Sequence, residues 1–422
     1  MRRAAAILFA GIAMLLTAGA ARAAPSPARG AHALRRILTE DLAHAGGVHG
    51  AYVVDLTSRQ TLFRSHIDTG RIPASVQKLY TTSTALLRLG PSASFETSVL
   101  GSGRLGPSGT WRGTLYLRGG GDPTFGSATF DRAAYGTGAT VQALARRVRA
   151  AGIRRISGPV VGDESLFDSL RGTPATGYAP SFYLEGQLSA LAYDRGFSNS
   201  SWSAFQADPP RYAARKLVAA LRTAGVTIPS GDRVSTGITP RRARRLATVA
   251  SPDIAKLIRL TNTPSDNFLA ETVLKDIGAD FAAKGSTAAG TRVVHRELAR
   301  RFGITPRFND GSGLSRYDRT TPRQVVRLLG SLASDRTFFD SLAIAGETGT
   351  LRYEMRGTRA QGRCRGKTGT LHDVASLVGY CVARDGHTLA FAFLLNRLTN
   401  PDHGHEIEAK MAVAAANYDG RP

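Results

Sequence analysis

The chain has 422 residues, of which 55 are Lys or Arg and 32 are Asp or Glu, so its formal net charge is +23 at pH 7. Its two cysteines exclude a cysteine-based zinc site, and no stretch after the N-terminal leader is apolar and long enough to predict a transmembrane helix. About 400 residues beyond that leader predict two or three domains with enough chain to bury a core.

The N-terminus has the pattern of a signal peptide. Arg2 and Arg3 form a short basic region, residues 4–17 are apolar, and Ala21-Arg22-Ala23 is a small-x-small cleavage site. The pattern predicts cleavage after Ala23 and export to a periplasmic or extracellular, cell-wall-associated location. We expect no transmembrane anchor after that cleavage.

The positive charge persists in the mature chain. Removing Arg2, Arg3 and Arg22 leaves +20, and residues 241–245 are the densest basic run. Such a balance predicts attraction to polyanions. For an exported protein an anionic cell-wall polymer or membrane surface is favoured over nucleic acid. For the basic run itself, however, a solvated face without a specific partner is the favoured interpretation.

The first 93 residues predict a helix, two strands and a second helix. Pro73 precedes the second helix, and Gly90-Pro91 ends it. The predicted ranges are a helix over 31–45, strands over 51–56 and 60–64, and a helix over 75–89.

The middle of the chain predicts an insertion. Strand-like pieces occupy residues 98–103, 113–118 and 158–163, whereas helices return over 251–260 and 267–277. The last part predicts strands over 367–371, 374–382 and 388–395 and a final helix over 406–417. We therefore expect an α+β protein in which residues 24–93 and 241–422 form one domain, an antiparallel sheet covered by helices, and residues 94–240 form an inserted domain.

The two cysteines flank a predicted hairpin. If the turn near residues 372–373 has two residues, Leu371 pairs with Val374 and Cys364 lies opposite Cys381. Directly opposed cysteines in an exported protein can form a disulfide. A one-residue change of register would separate them and leave two buried thiols.

The rare lysines mark the most informative motifs. Only seven of the 55 basic residues are Lys, yet two of them lie in Ser75-Val76-Gln77-Lys78 and Lys367-Thr368-Gly369-Thr370. Ser265-Asp266-Asn267 lies between these motifs. Arg cannot release its proton in a protein, whereas a buried Lys can act as a base. The pattern predicts an active-site serine enzyme.

Acyl transfer needs a nucleophile, a base, a proton donor for the leaving group and an oxyanion hole. We assign Ser75 as the nucleophile and Lys78 as the base, since a three-residue spacing puts both on one helix face. A neighbouring Lys367 is expected to help lower the pKa of Lys78. Ser265 is expected to relay a proton to the leaving amine, and Asn267 to hold Lys78 and the substrate backbone.

The last motif supplies the expected substrate-binding strand. Lys367 and Thr368 form a carboxylate-binding pair, and Gly369 lets the substrate backbone approach. The backbone N–H groups of Ser75 and Thr370 would form the oxyanion hole.

Other interpretations of these residues are weaker. Each motif alone is short, and the alternative is a helix cap, a surface charge and an ordinary turn. However, each motif occurs once, and the three are in the order that active-site serine enzymes of this class use. The chain has no Gly-x-Ser-x-Gly elbow. His403 and His405 lack a third ligand of suitable spacing, so they are interpreted as surface histidines, and we predict no metal and no other cofactor.

Longer stretches of the chain resemble the D-alanyl-D-alanine carboxypeptidase/endopeptidase family, the class C low-molecular-mass penicillin-binding proteins. The resemblance covers most of the mature chain and implies a transpeptidase/β-lactamase-like domain, built from both ends and interrupted by a mainly β insert. The stretches that resemble the family are residues 119–124, 158–163, 267–271, 310–316 with Pro322, and 346–351.

The chain also departs from the family pattern. The insert is shorter than in the best-known members, so we expect one inserted domain, and the usual aromatic, acidic stretch is replaced by residues 181–186 before Ser189-Ala190-Leu191. The resemblance further implies that Asp122 and Arg316 bracket the free end of a stem-peptide side chain. The alternatives are a turn residue before Pro123 and a structural ion pair.

The resemblance implies a D-alanyl-D-alanine carboxypeptidase, a DD-endopeptidase or both, acting on peptidoglycan stem peptides and acylated by β-lactam antibiotics. One alternative is a catalytically weak penicillin-binding or wall-binding sensor. A second is a β-lactamase, although no Glu-x-x-Leu-Asn segment lies between Ser75 and Ser265.

Overall fold

The computed structural model describes residues 30–229 and 233–421, so the predicted signal peptide lies outside the described residues. The described strands are β1 (Val48–Asp55), β2 (Gln60–Ser65), β3 (Glu96–Leu105), β4 (Thr110–Arg118), β5 (Arg155–Ile156), β6 (Val160–Asp163), β7 (Val234–Thr236), β8 (Arg244–Ala250), β9 (Ala343–Ile344), β10 (Cys364–Leu371), β11 (Val374–Val382) and β12 (Thr388–Asn396). The α-helices are α1 (Gly30–Ala45), α2 (Lys78–Leu89), α3 (Ala128–Ala134), α4 (Val141–Ala150), α5 (Pro209–Thr223), α6 (Ile254–Asn262), α7 (Asn267–Ala282), α8 (Thr287–Phe302), α9 (Pro322–Leu332), α10 (Arg336–Asp340) and α11 (Pro401–Asn417).

The first sheet joins the two ends of the chain. Its strand order is β2-β1-β12-β11-β10-β9, and every neighbouring pair is antiparallel. β1 pairs with β12 from Val48 opposite Asn396 to Asp55 opposite Leu389. An antiparallel sheet built from both ends of the chain is therefore confirmed.

Helices cover both faces of this sheet. The side chains of β12, one of its two central strands, point alternately into two apolar cores. Phe391, Phe393 and Leu395 of β12 pack with α1 and α11. Ala390, Ala392 and Leu394 face the other way, toward α2, α6, α7, α8 and α9. Successive strand side chains point to opposite faces, so a strand that is apolar throughout is buried on both sides.

The second sheet lies in the middle of the chain and is mixed. Its order is β7-β6-β4-β3-β8, with β5 beside β4, and β4 pairs in parallel with β6. Three helices, α3, α4 and α5, accompany these strands, and α4 and α5 share the apolar core of the sheet. The Gly- and Thr-rich pattern indicated the strands but not these helices. β8 lies beyond residue 240, the expected end of the insert, yet it pairs with β3.

The cysteine hairpin has the register predicted from its two-residue turn. Leu371 pairs with Val374, and Cys364 lies opposite Cys381. A disulfide joins the two cysteines, which are both buried. Within residues 30–229 and 233–421, no helix is long and apolar enough to span a membrane.

Candidate active site

Ser75 lies on a tight turn and not on the α-helix that the sequence predicted. Residues 74–77 form a 3-10 helix, and α2 begins only at Lys78. Ala74 has a φ of 48°, in the left-handed region that residues other than glycine rarely adopt. The chain therefore turns sharply just before Ser75.

Lys78 is the centre of the site. Its side chain is fully buried, and Nζ lies 2.8 Å from Ser75 Oγ, 2.6 Å from Asn267 Oδ1 and 2.7 Å from the backbone oxygen of Ser312. The amide and carbonyl oxygens can only accept hydrogen bonds, whereas the Ser75 hydroxyl can also donate. A neutral amine that donates to both oxygens therefore keeps its lone pair for the Ser75 proton.

Burial also favours the neutral form of Lys78. It lowers the pKa of Lys78 to about 8, against the opposing effect of Glu185, Asp310, Asp266 and Glu271. Burial is the cause of the lowered pKa, and the expected contribution of Lys367 is not found among the effects on Lys78. An amine with this pKa is partly neutral near pH 7, which a general base requires.

Ser265 and Lys367 form a second hydroxyl–amine pair. Lys367 Nζ donates to Ser265 Oγ at 2.7 Å and to the backbone oxygen of Thr368 at 2.9 Å. Burial, together with the charge of Lys78, lowers the pKa of Lys367 well below its usual value. The structure thus places a second amine of low proton affinity near the first.

Two glycines allow β10 and a loop to pack against the Ser75 turn. A Cβ atom on Gly369 would lie 2.5 Å from the Pro73 oxygen and 3.1 Å from the Ser75 nitrogen. A Cβ atom on Gly313 would overlap the Ala74 oxygen. The turn that bears Ser75 is therefore held between β10 and the loop after Asp310.

The insert reaches this site through its aromatic segment. Asn267 Nδ2 donates to the backbone oxygen of Tyr183 at 2.7 Å, which turns Asn267 Oδ1 toward Lys78. Glu185 Oε2 accepts from the Asn267 backbone N–H at 3.0 Å. Burial and the charge of Asp266 raise the pKa of Glu185. In the sequence, residues 181–186 stand out only as a departure from the family pattern, which predicts no role for Glu185.

A group of buried carboxyls, which sequence reasoning also missed, supports the loop that faces Lys78. Glu271 Oε1 accepts from the N–H groups of Gly311 and Ser312, both at 2.8 Å. Asp310 accepts from the N–H groups of residues 313 and 315. Burial and the charge of Asp310 raise the pKa of Glu271 to about 8. Glu271 and Asp310 lie in stretches that resemble the family, and this was their only signal in the sequence.

The side chains of Thr368 and Thr370 project from the same face of β10. Thr368 Oγ1 donates to Thr350 Oγ1 at 2.8 Å, and Thr370 Oγ1 lies 2.7 Å from His405 Nε2. The side chain of His405 is half-buried, with 23% of its surface exposed, whereas that of His403 is 45% exposed, so both histidines reach the surface.

The structure does not bring Asp122 to this group of residues. Its Oδ1 accepts from the N–H and the hydroxyl of Thr124, both at 2.7 Å, and burial raises its pKa to about 7. These contacts fit the alternative interpretation, a turn residue before Pro123.

Arg316 also contacts none of the groups around Ser75. It makes an ion pair with Asp373 at 2.7 Å, and its side chain is half exposed. Asp373 lies in the turn after β10, so the ion pair is at the margin of the site.

Comparison with known proteins agrees with this geometry. Residues 31–196 and 178–418 match the family model of D-Ala-D-Ala carboxypeptidase 3 (S13). The chain is 30% identical to a D-alanyl-D-alanine carboxypeptidase of Actinomadura sp. (strain R39), with 91% of this chain and 84% of that protein covered. It is also 30% identical to carboxypeptidase DacB of Mycolicibacterium smegmatis, with 92% and 85% covered.

Solved structures show the same fold. Penicillin-binding protein 4 from Haemophilus influenzae superposes with a TM-score of 0.75 at 21% identity, over 89% of this chain and 99% of that one. The same protein complexed with a β-lactam superposes with a TM-score of 0.70 at 20% identity, over 88% and 98%. With most of its length matched by the family model, this chain belongs to the D-Ala-D-Ala carboxypeptidase 3 (S13) family of serine peptidases.

Proposed function

We propose that the protein is a D-alanyl-D-alanine carboxypeptidase that cleaves peptidoglycan stem peptides through an acyl-enzyme on Ser75. The observation that carries this proposal is the buried amine of Lys78, 2.8 Å from Ser75 Oγ and held by two obligate acceptors. The names of the relatives supply the substrate class, and the geometry supplies the reacting groups.

In the proposed acylation, neutral Lys78 takes the Ser75 proton while Oγ attacks the carbonyl carbon between the two D-Ala residues. The developing oxyanion accepts from the backbone N–H groups of Ser75 and Thr370. The close approach of Gly369 to the Ser75 nitrogen supports this hole, because it brings β10 against the turn. Preorganised N–H donors of this kind stabilise charge that develops in the transition state.

Departure of the terminal D-Ala requires a proton on its nitrogen. We assign that transfer to Ser265, whose hydroxyl lies 2.7 Å from Lys367 Nζ. Ser265 gives its proton to the leaving nitrogen and receives in return the proton that Lys78 took from Ser75. Asn267 holds Lys78 and the substrate backbone. Water then attacks the ester carbon, loses a proton to Lys78 and releases the shortened peptide and Ser75. The same base thus serves both half-reactions.

The proposed substrate contacts lie mainly on β10. Lys367 and Thr368 bind the terminal carboxylate, and Gly369 admits the substrate backbone. Arg316 is retained as a residue that binds the free end of the stem-peptide side chain. It lies at the margin of the site, where it is paired with Asp373. Asp122 is not retained, because its carboxylate is buried against Thr124.

The remaining sequence-based expectations complete the proposal. β-Lactams acylate Ser75 in place of the peptide, and the protein is exported to the cell wall, where its basic surface meets anionic polymers. The inserted domain begins near residue 94. We extend its end from residue 240 to about 250, because β8 completes the second sheet.

Mass spectrometry of the purified protein tests the function. We expect release of D-Ala from acetyl-Lys(acetyl)-D-Ala-D-Ala and a penicilloyl adduct on Ser75, both lost in Ser75→Ala and both retained in Ser331→Ala, a control on an exposed helix position. An adduct without D-Ala release would favour cross-linked substrates or a sensor, and rapid turnover of penicillin a β-lactamase. Absence of any adduct would refute the assignment of Ser75.

A further inference from the structure

A cavity lies beside β10, the strand that we propose binds the substrate carboxylate, on the side of Thr368 and Thr370. Its volume is about 440 Å³, and its walls come from β10, from the segment after residue 349 and from the first turns of α11. Among the lining residues are Thr350, Thr368, Thr370, His405 and Glu408. The cavity therefore adjoins Thr368, which we propose binds the terminal carboxylate of the substrate.

A chain of hydrogen bonds runs from Thr370 into this wall. His405 Nε2 lies 2.7 Å from Thr370 Oγ1, and His405 Nδ1 lies 3.1 Å from Glu408 Oε2. The side chain of Glu408 is fully buried, and its other oxygen, Oε1, has no hydrogen-bond partner among the described residues. A buried carboxylate oriented toward one ring nitrogen of a histidine fixes the role of the other.

The protonation state of His405 decides what the Thr370 hydroxyl can do. In the cation both ring nitrogens donate, so Nε2–H bonds to Thr370 Oγ1 and the Thr370 proton is free to point at a substrate oxygen. In the neutral ring with the proton on Nδ1, Nε2 accepts, and the Thr370 proton points at the ring. Thr370 then has no proton to offer to a carboxylate.

We propose that His405 is a positioning residue for the proposed reaction: its protonated ring holds Thr370 as a hydrogen-bond donor to the C-terminal carboxylate of the substrate. The inference rests on the proposed function, because that function supplies the carboxylate. It predicts that carboxylate-terminated substrates bind more tightly when His405 is charged. Glu408 acts through His405 and not on the substrate.

The surroundings of His405 favour the charged ring. Burial lowers the pKa of His405, but the hydrogen bond and charge of Glu408, with the charges of Glu354 and Asp402, outweigh it and raise the pKa above the usual value. Glu406 also lines the cavity. Burial raises the pKa of Glu408 to about 7, against the stabilising effect of His405. Because the pKa of His405 is raised, the donor state exists at low pH and is lost as the pH rises through that pKa.

The test compares KM as a function of pH for two peptides, one ending in D-Ala-D-Ala carboxylate and one in the corresponding amide. For the wild type we expect KM of the carboxylate peptide to rise by about tenfold as the pH increases, the cost of one hydrogen bond to a charged group. KM of the amide peptide is expected to stay level.

Two variants separate this role from a structural one. Glu408→Gln should move the rise in KM to lower pH. His405→Phe should abolish the rise, because Thr370 then has no ring nitrogen that could accept its proton at high pH. His403→Gln, on the same helix, should behave as wild type. A rise that survives both variants, or that affects the amide peptide equally, would overturn the inference.

The role of His405 and the proposed function can be refuted separately. The penicilloyl adduct on Ser75 shows that each variant is folded at the site. Wild-type protein that forms the adduct and releases D-Ala with a pH-independent KM would refute only the role of His405. Protein that does neither would refute the proposed function.

Discussion

The Nζ atom of Lys78 lies 2.8 Å from Ser75 Oγ, and this amine is fully buried. Burial lowers its pKa to about 8, while four nearby carboxyl groups oppose the shift. With a pKa about one unit above neutrality, roughly a tenth of the amine is neutral at pH 7. At pH 7 a fraction of the protein molecules therefore has Lys78 as a neutral base, while in the remainder Lys78 is a cation that donates to its three neighbours.

Replacing Lys78 by Arg should abolish the base while keeping a positive charge. A guanidinium stays protonated, so it cannot take the Ser75 proton. We expect the rate of acylation by benzylpenicillin to fall by a factor of about 10² to 10⁴, the usual contribution of a general base. Stopped-flow measurement of adduct formation would record the loss.

The matched control for this change is Lys256→Arg, on the exposed face of α6. It should acylate at the wild-type rate. Comparable loss in both variants would mean that the Lys78 result reflects folding, and an active Lys78→Arg would show that another group is the base.

The limiting acylation rate should rise with pH. The reactive form of Lys78 is the neutral amine, which accumulates as the pH approaches the pKa of about 8. Below that value the rate should drop about tenfold for each pH unit, and above it the rate should level off. A rate that is constant between pH 5.5 and 7.5 would contradict a lysine base.

The site was largely predictable from local sequence. The three-residue spacing of Ser75 and Lys78 brings them together although the turn is a 3-10 helix, since side chains three residues apart lie on one side in either helix. The hairpin register followed from one short turn, and it fixes Cys364 opposite Cys381. These inferences needed only short-range geometry.

The rest depends on contacts between distant parts of the chain. Glu185 lies 82 residues from Asn267 in sequence, and Thr370 lies 35 residues from His405. No periodicity reports such pairings. Asp122 shows the converse, because a residue that resembled a substrate ligand accepts hydrogen bonds at Oδ1 from Thr124, two positions away. Local patterns can nominate a carboxylate but cannot tell which way it points.

Gly369→Ala should disrupt the contact between β10 and the Ser75 turn. The new methyl group would lie 2.5 Å from the Pro73 oxygen, closer than van der Waals contact allows, so the strand must move. A displacement of about 1 Å at a reacting group typically lowers the rate about 10²-fold. We expect slower acylation by benzylpenicillin with little change in thermal stability.

Gly106→Ala is the appropriate control, because its methyl group would meet the Thr110 oxygen at an ordinary 3.6 Å. It lies in the turn between β3 and β4 of the second sheet, away from β10. Wild-type acylation in Gly369→Ala would show that the strand does not need to approach the turn so closely.

The disulfide should stabilise the strand pair that supports the active site. Cys364 and Cys381 are separated by 17 positions and are buried in the core between the first sheet, α1 and α11. Closing a loop of this length restricts the unfolded chain by about 3 kcal/mol. The double variant Cys364→Ala/Cys381→Ala should therefore lower the free energy of unfolding by about that amount in urea titrations. Reductant should destabilise the wild type and leave the variant unchanged. Equal sensitivity of both proteins to reductant would show that no disulfide forms. Because β10 carries Lys367 through Thr370, acylation by the variant should weaken only at urea concentrations at which the variant begins to unfold.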